Sequence, residues 1–203
     1  MQVQGLYDID KAIKINDWKE VKSQQIYRSP GIFNSDGLFS EEIFGQTEEE
    51  RKYRRAYIKL PIHVFNPFIA NQYILRSGGI IRKMAFNECK CDLVNGKLVE
   101  NASGKYTGFK DLYDIWEEID IRKTINTTQQ DVIAALTKIP KTLLFSDKVI
   151  VLPPGMRPIG EKGGKIVKSE LNTFYSHLIG LKGVAAYTTA NAYQVYNKIQ
   201  NTV

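Results

Sequence analysis

The chain has 203 residues, of which 43% are hydrophobic and 11% aromatic, and it carries a formal net charge of +6. That is enough apolar matter for one or two ordinary cores, but too little chain for a large self-contained enzyme. The basic balance favours polyanionic partners such as nucleic acid. The start of the sequence lacks a basic region followed by an apolar core, and no apolar run approaches the ~20 residues of a bilayer span. A soluble, intracellular protein with no membrane partner is expected.

Residues 8–23 place Ile9, Ile13 and Val21 among charges at loosely helical spacing, which predicts a short surface helix. Residues 26–45 are dense in turn formers yet carry Ile26, Ile32, Phe33, Leu38, Phe39, Ile43 and Phe44, so an irregular but packed segment is expected. Thr47 followed by Glu50 has the form of a capping box for a brief charged helix. A strand follows over AYIKLPI, and Pro67 then suits the first turn of a helix carrying Phe68, Ile69, Ile74 and Leu75. Gly78 and Gly79 are expected to end it.

Residues 80–99 read as β-rich, with Asn95-Gly96 as a tight hairpin turn. From 108 to 139 the spacing predicts two amphipathic helices joined by the polar stretch KTINTT into a hairpin, the second closed by Pro140. An apolar strand KVIVL comes next, then PPGMRPIGEKGGK, a helix opened by Ser169 and a last helix near 188–200.

The sequence has no Walker loop, dinucleotide fingerprint, nucleophile elbow or zinc-protease helix. His63 and His177 sit among apolar or helical residues and read as structural. Asp8 and Asp10 read as a solvated charge pair on the first helix. Cys89 and Cys91 form a C-x-C pair that cannot by itself complete a four-ligand zinc site, so two reduced thiols are expected unless a partner supplies the remaining ligands.

The most unusual stretch runs from Val149 to Pro158 and on through Gly163, Gly164 and Lys165 to Ser169 and Asn172. Pro153, Pro154 and Pro158 fix φ, so Arg157 would project from a stiff backbone and lose little entropy in gripping a phosphate. The glycine pair permits close backbone approach to a polyanion, and Lys162, Lys165 and Lys168 surround it with charge. A DNA-backbone contact and a plain proline-rich turn with solvated lysines both fit these residues.

VLPPGMRP, GEKGGK and SELNTFY in succession resemble the segment of β′-type subunits of multi-subunit DNA-dependent RNA polymerases that joins the strand behind the rudder to the following helix. The family pattern V-L/I-P-P-x-x-R-P, G-G-R/K and S-D-L-N-x-L-Y is matched by Val151, Leu152, Pro153, Pro154, Arg157, Pro158, Gly163, Gly164, Lys165, Ser169, Leu171, Asn172 and Tyr175, with Glu170 for the usual aspartate. Upstream, Asp36-Gly37-Leu38-Phe39 and Ile43-Phe44-Gly45 resemble the D-G-L-F-x-x-x-I-F-G element, and Arg55 to Leu60 with Pro61 resembles the strand that enters the clamp core. The family's four-cysteine zinc ribbon is missing: only QTEEERKY stands in its place. No N-A-D-F-D-G-D loop occurs either. Zinc-less, shortened and split largest subunits of this kind resemble those of giant tailed phages.

The resemblance implies an α+β fold, an irregular clamp domain with a short helical hairpin and a small mixed or antiparallel sheet. It divides the chain into a clamp-core region (1–107), a shortened clamp-helix hairpin (108–148) and a switch or DNA-path segment with its following helices (149–203). The implied function is a non-catalytic share of a DNA-directed RNA polymerase, closing over DNA and contacting template and initiation factor. Magnesium would be held by aspartates on another chain, and no zinc is expected. Implied partners are β-like chains, a C-terminal β′-like chain, a σ-like promoter-specificity factor, template DNA and RNA, in the cytoplasm of an infected bacterial host or in the virion. Arg157 is the first expected template contact and Lys165 the next, with Tyr106, Trp116, Arg122 and Lys123 either near nucleic acid or explained by a helix core and a solvated face. A stand-alone nucleic-acid-binding or viral structural protein is the competing expectation.

Overall fold

A computed structural model describes residues 8–74, 79–125, 130–162, 165–167, 169–181 and 193–195. The first helix, α1 (Ile9–Asn16), starts where Asp8 accepts a hydrogen bond from the Lys11 amide at 2.9 Å, and stops at Asp17 in the left-handed region, φ 49°. It is shorter than expected because the following residues run extended, with Val21 donating to the Tyr57 carbonyl at 2.8 Å. The next segment holds β1 (Tyr27–Ser29), β2 (Ile32–Phe33) and α2 (Glu41–Phe44), the last N-capped by Ser40. Ile26, Leu38, Phe39, Ile43 and Phe44 are buried there, while Ile32 remains 60% exposed. α3 (Glu48–Tyr53) opens with the reciprocal Thr47–Glu50 capping box that the sequence predicts.

β3 (Ala56–Phe65) alternates inward Ala56, Ile58 and Leu60 with outward Tyr57, Lys59 and Pro61, the period-2 pattern of a half-buried strand. α4 (Pro67–Tyr73) begins on Pro67 as expected. Gly79 lies at the N-cap of α5 (Ile80–Ala85), so residues 80–85 are helical where strand was expected. Ile81, Met84 and Ala85 recur at three- and four-residue spacing and are all buried, which is the helical period. β4 (Cys91–Val94) and β5 (Lys97–Glu100) then pair antiparallel, with Asn95 at φ 50° and Gly96 at φ 80° in the turn between them.

The helical region differs most from expectation. α6 (Gly108–Ile115) passes into a 3₁₀ turn over Trp116–Glu118, and Asp120 then caps α7 (Ile121–Thr124) by accepting from the Arg122 and Lys123 amides. α8 (Gln130–Lys138) follows, and Pro140 begins the one-turn α9 (Lys141–Leu144). A series of short helices therefore replaces the two continuous ones. β6 (Phe145–Val151), a 3₁₀ turn at Pro154–Met156, β7 (Gly160–Lys162), β8 (Lys165–Val167) and α10 (Glu170–Gly180) complete the named elements. Residues 193–195 are helical, and the rest of the expected last helix lies outside the described residues, as do Gly78 and Leu75.

The architecture is mixed α+β, with small two-stranded sheets: β1–β2, β4–β5 and β7–β8 antiparallel, and β3 paired with β6. Two compact units emerge, Met1–Pro61 with Asp147–Val184 and Val195–Val203, and Ile62–Ser146 with Ala185–Gln194. β3 and β6 each contribute residues to both. The second unit is built on aromatic packing, with Phe65 at 5.1 Å from Phe109 and 4.9 Å from Phe145, ring centre to ring centre. Trp116 belongs to this core and is 6% exposed, so the nucleic-acid reading of that residue gives way to the structural one. Among the described residues no helix is long and apolar enough to cross a membrane.

The β4–β5 turn gives a test. Gly96 has positive φ, and a Cβ there would come within 3.2 Å of the Asp120 Cβ. Gly96→Ala is expected to cost about 1–2 kcal/mol and Asn95→Gly a few tenths at most, read as urea midpoints.

Candidate functional site

The Pro-Pro-Gly-Met-Arg-Pro turn is built by local rules. Pro153 and Pro154 need no amide partner, and Pro154 takes the first position of the 3₁₀ turn, where its fixed φ is already correct. The Met156 and Arg157 amides donate back to the Pro153 and Pro154 carbonyls, both at 3.0 Å. Gly155, Met156 and Pro158 are left exposed, whereas Pro153 and Pro154 are buried.

Reversal of the chain at this turn sends Arg157 inward. Its residue exposure is 1%, the lowest of any charged side chain described. Nε donates to the Leu152 carbonyl at 2.6 Å, Nη1 to Asn172 Oδ1 at 2.8 Å, and Nη2 to the Leu38 carbonyl. The guanidinium carbon lies 4.9 Å from the Phe39 ring centre, 5.1 Å from Phe44 and 5.7 Å from Tyr175. Burial pushes its pKa down to about 10, with the charge of Arg51 acting in the same direction and Tyr175 opposing. At neutral pH the group is a cation held by carbonyl oxygens and ring faces.

Asn172 closes the arrangement from the other side. Its Nδ2 donates to the Arg157 carbonyl at 2.9 Å while its Oδ1 accepts from Arg157, and the reciprocity fixes the amide orientation. Ser169 caps α10 by accepting from the Asn172 amide, which places Asn172 in the first turn facing Arg157. One turn on, the Tyr175 hydroxyl donates to the Ile150 carbonyl at 3.1 Å and accepts from the Leu152 amide at 3.2 Å. Burial raises the Tyr175 pKa, so the hydroxyl keeps its proton.

The expected grip of Arg157 on a template phosphate is therefore corrected. All three of its nitrogens are committed inside the unit, and the side chain braces the loop. Pro153, Pro154, Ser169 and Asn172 act in the same brace. Lys162 and Lys165 are directly paired residues of the β7–β8 hairpin, while Gly163, Gly164 and Lys168 lie outside the described residues. Sequence reasoning missed the cradle formed by Leu38, Phe39 and Phe44, although the D-G-L-F and I-F-G resemblance includes those residues.

The remaining candidates lie apart from this centre. Asp10 pairs with Lys148 at 2.7 Å, and Lys148 also pairs with Asp147 at 2.6 Å. His63 stacks on Tyr113 at 3.9 Å, whose ring also lies 4.1 Å from the Lys141 ammonium. His177 is exposed on α10, and Lys123 donates to the Asn95 carbonyl at 3.1 Å. Tyr106 stacks under the Lys105 ammonium at 5.0 Å. Cys89 and Cys91 are buried free thiols with sulfurs 3.6 Å apart, and among the described residues no group of three or more His, Cys, Asp or Glu side chains is placed to hold a metal.

No protein-family model matches the chain, and no curated protein matches it.

Removing the brace leaves the Leu38 and Leu152 carbonyls and Asn172 without their donor. Arg157→Ala is expected to cost about 3 kcal/mol or more in chemical denaturation, and Arg157→Lys nearly as much, since one ammonium cannot span three acceptors. The thiol pair supplies a pH test. Burial, helped by the neighbouring Cys89, raises the Cys91 pKa from 9.0 to about 12. The stabilisation from keeping this thiol neutral is intact below pH 9 and is lost as pH rises towards about 12. Cys91→Ala is expected to flatten the alkaline fall in urea midpoint relative to the unsubstituted chain.

Proposed function

We propose that this chain is the N-terminal, β′-like part of the largest subunit of a multi-subunit DNA-directed RNA polymerase, of the zinc-less and split kind that resembles giant-phage enzymes. The observation that supports this reading is the convergence of its motifs. Arg157 of the V-L-P-P-x-x-R-P segment donates to Leu38 of D-G-L-F, rests on Phe44 of I-F-G, and exchanges hydrogen bonds with Asn172 of S-E-L-N. Residues picked out by the resemblance, more than a hundred positions apart, thus share one buried polar centre.

In such an enzyme this chain supplies clamp and DNA-path surface. The magnesium-binding aspartates would come from another chain and provide the nucleotidyl-transfer chemistry. The brace would hold the exposed Gly155–Met156 tip and the β7–β8 hairpin at a fixed angle to α10. Lys162, Lys165 and Lys168 on and beside that hairpin are the proposed phosphate contacts, independent of sequence and sensitive to salt.

Purification of the tagged chain from its native source is expected to recover β-like and C-terminal β′-like chains together with RNA synthesis. Recovery of a lone folded protein without synthesis would replace this reading with the stand-alone binding module. In the assembled enzyme, joint Lys162→Ala, Lys165→Ala and Lys168→Ala substitution is expected to reduce the slope of log affinity against log salt by about one for each lysine that touches a phosphate.

A further inference from the structure

Cys89 and Cys91 are the two cysteines of the chain. In extended backbone, residues two apart point to the same side, and here both cysteines are buried while Lys90 between them is exposed. Their sulfurs lie 3.6 Å apart, and both are free thiols.

The backbone that carries the pair is pinned by residues 101–107. Cys91 exchanges two hydrogen bonds with Tyr106, both at 2.9 Å, and the Lys90 carbonyl accepts from the Asn101 amide at 3.0 Å. The Cys89 carbonyl accepts from Thr107 Oγ1 at 2.9 Å. Gly104 lies so close to the same strand that a Cβ there would come within 2.7 Å of the Cys91 carbonyl carbon. A disulfide brings two sulfurs to ~2 Å, and most of the cost of forming one is the ordering needed to bring them together. In this fold the thiols already touch on a fixed backbone, so closing the bond orders little that is not ordered already.

Exposure divides the roles. Cys89 is 9% exposed and Cys91 0%. Burial, helped by the neighbouring Cys89, holds the Cys91 thiol protonated, with its pKa pushed up to about 12. An oxidant from solvent therefore meets Cys89 first, and Cys91 needs no access of its own because it is reached from within. We propose that Cys89 and Cys91 form a reversible dithiol–disulfide site for a small peroxide, with Cys89 as the attacking thiol and Cys91 as the resolving one. The Cys89 thiolate attacks one peroxide oxygen, the O–O bond breaks, and the departing hydroxide takes up the proton that the thiol released, giving water. The Cys91 sulfur then displaces the hydroxyl of the Cys89 sulfenic acid: the S–S bond forms, the S–O bond breaks, and the Cys91 proton leaves in a second water. The two sulfurs lose two electrons in all, and the two peroxide oxygens gain them. This inference does not rest on the polymerase reading, since it uses only the thiol pair and the loop that pins it.

Titration of the full chain with hydrogen peroxide, followed by alkylation in denaturant and mass spectrometry of the fragments that carry the cysteines, tests it. An intramolecular disulfide, lighter by two hydrogen atoms and reopened by dithiothreitol, is expected with circular dichroism unchanged. Cys91→Ser should stop at a sulfenic acid on Cys89, trapped by dimedone. In the folded state Cys89→Ser should lose its remaining thiol about tenfold more slowly than Cys91→Ser, and in urea the two should react alike. Equilibration with glutathione mixtures reads the pair without regard to access. The dithiol–disulfide equilibrium constant of the folded chain should favour the disulfide about tenfold more than that of the urea-unfolded chain. Equal constants, an intermolecular disulfide, sulfinic acid at Cys89 of the unsubstituted chain, or equal rates for the two folded variants would overturn the proposal.

Discussion

A buried guanidinium without a carboxylate partner is the constraint on which the first unit depends. Taking a cation out of water costs several kcal/mol, and the cost is offset only when every donor finds an acceptor and the charge finds a polarisable surround. Arg157 meets both conditions with the Leu38 and Leu152 carbonyls, Asn172, and the faces of Phe39, Phe44 and Tyr175. Those acceptors come from three segments far apart in sequence. The arrangement can be satisfied only when the D-G-L-F loop, the end of β6 and the first turn of α10 are all in place. A plain apolar residue of similar volume would bury as much surface but would not specify which loop meets which helix. The cation thus converts a loose cluster of turns into one register, and the irregular residues 26–45 hold their shape by packing on it.

Much of the local structure was legible in the sequence because its determinants sit within four residues of one another. The Thr47–Glu50 capping box, the Ser169 cap, the Asn95-Gly96 turn and Pro67 at a helix start are all of this kind. Failures arose where a local signal competed with another. The apolar spacing over 108–119 suggested one helix, but Asp120 offers its carboxylate to the Arg122 and Lys123 amides and starts a new one. Residues 80–85 are rich in β-branched isoleucine, yet burial of Ile81, Met84 and Ala85 on one helical face prevailed over strand propensity.

The site was legible in its membership and illegible in its direction. Stiff prolines around Arg157 imply a side chain presented with little entropy loss, and nothing local says to what. The acceptor that decides it, the Leu38 carbonyl, lies 119 residues away. Backbone carbonyls leave no mark in a sequence, so an inward guanidinium and an outward one look alike. Asn172 was the available clue: an amide able to donate and accept, placed by the Ser169 cap on the turn of α10 that meets the proline loop.

With Arg157 turned inward, the distribution of the remaining charge acquires a meaning. Arg51 lies close enough for its charge to lower the Arg157 pKa further, after burial, the larger cause. The Arg157 charge is met by the Leu38 and Leu152 carbonyl dipoles. The proline turn has a closed inner face, where Arg157 is fully hydrogen-bonded, and an outer face on which Gly155, Met156 and Pro158 are exposed. A turn already fixed by Arg157 would lose little further entropy if another chain packed against it, so the inward guanidinium pre-organises the exposed tip whatever that tip meets.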